Sequence, residues 1–430
     1  MGMLRSVLRL TALAAGASVL SLGGPASGQW NQSKLGPPPF SAAWRHAVFA
    51  HPSLLKRYNR VDGLVQSLEI RARAPFDFNQ APLLEAFGRV DVHADTLPEY
   101  QVRGGTLGIG VNHPHSRLGK ENGIWAHADA EYRKETASPD DEIVGSAENT
   151  LAALIAKYDY KNYYLREGVS ISASLLWIPR RQTEALMLLL AWENDRHSSL
   201  DVVADWGLLP TESHFRPNID AAAGRQKALR LTAGIQLQDS PRHPHSVFQT
   251  VLHWEKAGGS LGGDFTYDGV FAMLRLERST WGVQRLTLRS GAGARSGHLA
   301  LQHVLRLGGI STLRGLPHQS LTGTRLWLFN GEYRFGRDFL TAATFFPFNS
   351  GLARRIVPAL DAGLLYDLGA AYEVPASDGV FRGWLKGAGI DNWGLFLDVG
   401  NDLLRIEWTS TRLLGNDYPD LWHLRLGWTL

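Results

Sequence analysis

LRLTAGIQLQ, residues 229–238, alternates without interruption: Leu229, Leu231, Ala233, Ile235 and Leu237 on one side, Arg230, Thr232, Gly234, Gln236 and Gln238 on the other. Successive side chains of a strand point to opposite faces, so this stretch reads as a strand with one apolar and one polar face. About ten residues of such alternation is what a tilted membrane-crossing strand needs.

The pattern recurs. Leu107, Ile109 and Val111 alternate with Thr106, Gly108 and Gly110; Val169, Ile171, Ala173, Leu175 and Trp177 alternate with Ser170, Ser172 and Ser174. In the last segment Trp422, Leu424, Leu426, Trp428 and Leu430 oppose His423, Arg425, Gly427 and Thr429. Closing a barrel pairs its last strand with its first and removes both sheet edges, which gives such a terminal strand a purpose. Alternating segments from 63–74 to 421–430, one of them at 299–310, total about 16, an even number as single-chain bacterial barrels require. The expected fold is all-β, a transmembrane antiparallel β-barrel.

Composition agrees. The chain has 430 residues with 45 Gly, 14 Trp, 12 Tyr and 17 Phe, yet a mean hydropathy of −0.16. Many aromatics without net hydrophobicity is what alternation between lipid and lumen produces. Past the N-terminal region no apolar run reaches the roughly 18 uncharged residues of a membrane helix. A formal charge of +3 gives no nucleic-acid footprint, and the absence of Cys rules out disulfides and a lipoprotein anchor.

Residues 1–28 read as a signal peptide: Arg5 and Arg9, then LTALAAGASVLSL, then small residues around Ala26 to Gly28. Residues 29–57 hold a proline run without a period and are expected to be a periplasmic linker, with room for one helix at 41–50; the barrel is expected over 58–430. One segment breaks the period of two. Ser138 can cap, Pro139 suits a first helical position, Asp140, Asp141 and Glu142 favour a helix N-terminus, and Leu151, Leu154, Ile155 and Tyr158 follow at helical spacing. A helix is expected near 140–158. If the strand at 63–74 runs outward, this helix lies on the periplasmic side, as a cover or plug for the mouth or as a packed connector; the long connection 195–224 shares that side.

Motifs with chemistry are few. NHPHSR (112–117) and PRHPHS (241–246) bring histidines together in proline-containing loops without a carboxylate at ligand spacing, so no metal is expected. WENDRH (192–197) reads as a polar turn at a strand end. No nucleophile elbow, phosphate loop or zinc signature is present. Neither catalysis nor a cofactor is therefore expected, although a barrel phospholipase or protease would draw its residues from distant strands.

GGISTLRGL (308–316) is different. It precedes RLWLFNGEYRF (325–335), in which Trp327, Phe329, Tyr333 and Phe335 share the lipid face and Leu328, Asn330, Glu332 and Arg334 face inward. By the same alternation Asp361 is inward in the strand near 357–368. Gly308, Gly309 and Gly315 around Arg314 permit a tight turn, so the loop can fold back and place a guanidinium between the two carboxylates, unless these are merely solvated in a polar lumen.

GGISTLRGL, NGEYRF and ALDAG (359–363), in that order, resemble the BamA/TamA-type outer-membrane barrels, the bacterial surface antigen family that includes two-partner secretion transporters. The closing LLRIEWTSTRLL and WHLRLGWTL are similar to the family's last hairpin, and YNRVDGL (58–64) to the approach to its first strand. The match is specific over 300–430 and architectural over 64–300. It implies Arg314, followed by Gly315, as a lumen latch on Glu332 and Asp361, and the strand of Trp422, Leu424, Leu426, Trp428 and Leu430 as an assembly signal. Leu316 stands where an aromatic is usual, and Leu430 where Phe or Trp is. Some 30 linker residues are too few for a POTRA domain, the family's usual substrate-capturing module, so a separate periplasmic partner is expected to serve the barrel.

The expected setting is the outer membrane of a Gram-negative-type bacterium, with lipid around the barrel and polypeptide as substrate, inserted or translocated at a seam between first and last strands. The alternative is a passive channel for small solutes.

Overall fold

The computed structural model describes residues 48–426 except 75–82, 94–98, 113–122, 142, 180–182, 210–213, 241–244, 281–283, 337–359, 376–388, 400–403, 414–415 and 418. The expected signal peptide, Trp428, Leu430 and most of both histidine motifs lie outside the described residues.

Among the described residues sixteen strands of six or more residues follow one another: β1 Val48–Asn59, β2 Gly63–Ala74, β3 Leu83–His93, β4 Glu99–Asn112, β5 Gly123–Ala137, β6 Tyr164–Ile178, β7 Glu184–Ser198, β8 Gly224–Gln238, β9 Ser246–Ala257, β10 Thr266–Ser279, β11 Arg285–His298, β12 Arg325–Arg334, β13 Leu360–Tyr372, β14 Ile390–Val399, β15 Leu404–Leu413 and β16 Leu421–Leu426. A single helix among the described residues that is longer than one turn, α1 Ser146–Ala156, lies between β5 and β6. Each strand pairs antiparallel with the next, from β1 through to β16.

The sheet is rolled. Flat, its two edges would stand roughly 70 Å apart at about 4.8 Å per strand. Yet α1, about 16 Å long, packs on both β1 and β16. Thr150 Oγ1 accepts from the Tyr58 amide of β1 (3.2 Å), and Glu148 binds Arg425 of β16 (2.7 and 3.0 Å). Among the described residues no ladder joins β1 to β16. The outward face is apolar along its strands: in the segment quoted first, Leu231, Ile235 and Leu237 are 37–43% exposed, while Arg230 turns inward to Glu193 and Glu255 (2.9 and 3.1 Å).

The strand count of about 16 matches, but its composition does not. The stretch read as the end of the linker, with the helix at 41–50, contains β1. Pro52 and a register slip between Ser53 and Arg57 hide its period; proline cannot donate to a ladder and is confined to edges and bulges. YNRVDGL is consequently the tip of the first hairpin, where Asn59 Oδ1 accepts from the amides of Val61 and Asp62 (3.0 and 2.7 Å). Conversely, 299–310 is no spanning strand. Only Leu305–Leu307 is extended, zipped to Leu321–Gly323 as the neck of a loop, because Gly308 and Gly309 (φ 116° and 100°) turn the chain back.

The extra strand reverses the parity. With β1 running outward the strand at 63–74 runs inward, which puts α1 and residues 199–223 at the end opposite to the one expected; in either direction they lie beside the 299–324 loop. Contacts fix the shared end: Arg60 of the first hairpin donates to the carbonyls of Asp159 (3.3 Å) and Lys161 (2.6 Å), Arg216 meets His318 (3.2 Å), and Gln319 donates to Asp140 (2.9 Å). Four connections that follow odd-numbered strands interlock at one mouth.

Two further expectations are corrected. The helix begins at Ser146 and not near 140, because the Asp140 carboxylate is drawn to the Asn162 amide (2.7 Å) and Gln319. Ser138 caps only a turn there (Asp140 amide, 3.0 Å). Ala153 and Leu154 bury against Tyr58, Leu64, Ala204 and Phe215, whereas Tyr158 is 64% exposed past the helix end. WENDRH is not a turn: it lies within β7, and its inward Glu193 and Asp195 bind Arg133 (3.2 and 2.6 Å).

Candidate functional site

The 299–324 loop enters the rolled sheet from the interlocked mouth and lies against the inner faces of β11 to β16. Its tip is a series of tight turns: the Gly308 amide donates to Thr312 Oγ1 (2.8 Å), and the Gly309 amide donates to the Leu313 carbonyl (3.1 Å). Leu307, Leu313 and Leu316 bury with Leu326 and Leu328 of β12 and Ile390 of β14. Leu316, in the place of an aromatic, thus fills an aliphatic pocket. Burying each such leucine contributes about 1.5–3 kcal/mol.

The arginine that this tip carries is 2% exposed. Arg314 grips Asp367 of β13 bidentately, Nε to Oδ2 at 2.8 Å and Nη2 to Oδ1 at 2.5 Å, while its amide donates to the same carboxylate at 3.1 Å. Nη1 donates to Glu332 of β12. Its own carbonyl accepts from Thr409 (3.1 Å) and His423 (2.6 Å) of β15 and β16. Gly315 carries on the approach: a Cβ there would lie 1.9 Å from Thr411 Oγ1, the atom that donates to the Gly315 carbonyl at 2.7 Å. Only glycine lets the backbone come this close.

The wall carboxylate is therefore Asp367, not Asp361. Both are inward on β13, but Asp367 pairs in register with Asn330, whereas Asp361 lies six residues, or about 20 Å, further from the mouth. There Asp361 accepts from the Gly336 amide (2.9 Å) and faces Arg334 (3.7 Å). Glu332 is placed as its alternation implied.

The charges form one buried network. Arg405 of β15 binds Asp398 of β14 through two bonds (2.6 and 3.0 Å), Glu332 (3.1 Å) and Glu407 (3.1 Å). Arg425 of β16 binds Glu148 of α1 and the loop itself, at the Ile310 carbonyl (3.0 Å) and Ser311 Oγ (3.2 Å). Arg289 of β11 donates to Asn330 (2.8 Å), which donates on to Asp367 (2.7 Å). Arg405 and Arg425 are direct cross-strand neighbours, a repulsive pair that Glu407, within 3.1 and 3.7 Å, and Glu148 neutralise. Burial disfavours the Arg314 charge, but Asp367 and Glu332 more than offset this and hold its pKa well above the ordinary arginine value.

Sequence reasoning missed Asp367, Arg405, Glu407, Arg425 and Glu148. Alternation in LRIEWTSTRL marks Arg405 and Glu407 as inward, and alternation in the last strand does the same for Arg425. Glu148 carries no comparable signal, since it sits on a helix whose buried face the spacing misplaced.

Trp422 and Leu424 of β16 are 71% and 58% exposed on the outward face, and Leu426 ends the described strand. Among the described residues no cluster of three or more metal-ligating side chains occurs.

No protein-family model matches this chain, and no curated protein does. Solved structures with a similar fold include BamA from Haemophilus ducreyi lacking POTRA domains 1–3 (TM-score 0.47, 12% identity, 86% of this chain and 68% of that one). CdiB from Acinetobacter baumannii (0.40, 10%, 89% and 60%) and Pseudomonas aeruginosa OpdQ (0.30, 10%, 84% and 91%) are also similar. The chain spans about 60% of the CdiB chain's length. At these scores the likeness reaches β-rich architecture and no further.

Proposed function

We propose that this chain is an outer-membrane barrel of the bacterial surface antigen type that inserts or translocates polypeptide at the seam between β1 and β16, with the Arg314 loop as a latch inside. The observation that carries this reading is the contrast at the seam. Every other strand boundary is a ladder, whereas the described edges of β1 and β16 are bridged by a helix and one ion pair. β1 contains a proline, Pro52, which cannot donate to a ladder and suits an edge strand. Lipid surrounds the apolar outer face, the interlocked mouth faces outward, and a separate periplasmic protein delivers the polypeptide. No catalytic step is assigned to it.

The test uses the natural absence of cysteine. Cysteine pairs scanned across β1 and β16 are oxidised in reconstituted vesicles and polypeptide insertion or passage is measured. Loss of activity on crosslinking, restored by reductant, supports the seam; unchanged activity in the locked barrel rejects it. In planar bilayers the expected record is low and flickering, rising on Arg314→Ala. A large, steady conductance that ignores Arg314→Ala supports the passive channel instead.

A further inference from the structure

We infer that α1 is a clasp across the seam and that Arg425 couples this clasp to the latch loop; the inference deepens the seam reading and rests on it. The helix holds both edges of the sheet at once. On the β1 side, Thr150 accepts from the Tyr58 amide (3.2 Å), and Ala153 and Leu154 bury against the Tyr58 ring. That ring is fixed in turn by its hydroxyl on the Trp206 carbonyl (2.5 Å). On the β16 side, Glu148 forms a fork-to-fork pair with Arg425 (2.7 and 3.0 Å), geometry that is both strong and directional.

Arg425 is the junction. With Glu148 on Nε and Nη2, its Nη1 donates to the Ile310 carbonyl (3.0 Å) and its Nη2 also to Ser311 Oγ (3.2 Å), three to four residues before Arg314. Withdrawing the loop leaves the Arg425 guanidinium held by Glu148 and Glu407 alone, and losing Glu148 frees the side chain that reaches the loop, so each hold orients the guanidinium for the other. Either movement makes the other easier, which is coupling through a shared group. α1 is inserted after β5, far along the chain from both edges, so its anchorage does not depend on a ladder between them. A clasp of this kind can open and reclose without unravelling the sheet.

The test places spin labels on outward positions of β2 and β16, Leu68→Cys and Leu424→Cys, in reconstituted full-length protein. The parent is expected to give a narrow distance distribution. Glu148→Gln and Thr150→Val, which cut opposite ends of the clasp, are each expected to add a population longer by at least one strand spacing, roughly 5 Å. Glu193→Gln on the far wall leaves the distribution as it was. Glu148→Gln is also expected to raise maleimide labelling of Leu313→Cys at least tenfold. Distributions that superimpose on the parent for both clasp variants overturn the clasp, and widening without faster labelling overturns its coupling to the loop. Widening in variants that pass no polypeptide strikes the polypeptide reading and leaves the clasp standing.

Discussion

Two walls of this molecule use the same chemistry in different ways. On the wall of β7 to β9, Arg230 sits between Glu193 and Glu255; it is the direct register partner of Glu255, and its side chain is 25% exposed. On the wall of β12 to β16, Arg314 also sits between two carboxylates, but it arrives from a loop and is 2% exposed. A strand-borne arginine joins neighbours the ladder has already placed. A loop-borne one determines where the loop goes, and its burial makes every unmet partner costly.

Arg314→Ala should therefore break the comparison most strongly. It leaves Asp367 and Glu332 short of their guanidinium, a loss on the order of 3–5 kcal/mol, read as lowered heat resistance of the folded band in detergent electrophoresis. Next in size is the contrast between two carboxylates of one strand. Asp367→Asn should approach the Arg314→Ala effect, while Asp361→Asn should cost about 1 kcal/mol or less; equal effects would mean that loop reach does not distinguish them.

Gly315→Ala comes third. Its Cβ must displace Thr411, a strain of about 1–3 kcal/mol, measured as a shifted urea midpoint. Arg230→Ala strands two buried carboxylates, but Glu193 keeps Arg133 and Glu255 keeps Gln226 and Tyr267, so its cost is expected at about 1–3 kcal/mol, below that of Arg314→Ala.

Apart from this ranking of substitutions stands a pH dependence at the mouth. His318 contacts Arg216 (3.2 Å) and the ring of Tyr160. Burial first, then the charges of Arg216, Arg60 and Arg306, depress its pKa from 6.5 to about 3. The folded state thus favours the neutral imidazole. Its contribution is complete above pH 6.5 and is lost as pH falls from there toward 3. His318→Gln should flatten that part of the stability profile, and an unchanged slope would show that another group is responsible.

Alternation made most of the fold legible, because a two-residue period survives wherever a strand has one wet and one apolar face. It failed at β1, where Pro52 and a bulge interrupt it, and at 299–310, where an apolar loop neck imitates a strand. The same rule assigned Glu332 and Asp361 to the inner face and, carried six residues on, would have added Asp367, but it gave no depth along that face. Depth comes from register and from where the loop enters, neither of which is written in local sequence. Glu148 was hidden for a related reason: its partner Arg425 lies 277 residues away, and only rolling the sheet brings them together.

The central claim, that Arg314 pins its loop against the inner wall, is tested most directly by a thiol at Leu313, which is 0% exposed. Leu313→Cys in this cysteine-free chain should resist a membrane-impermeant maleimide in intact vesicles while Arg314 is present, and react readily once Arg314→Ala is added. Rapid labelling with Arg314 intact, or equal protection with and without it, would contradict the latch.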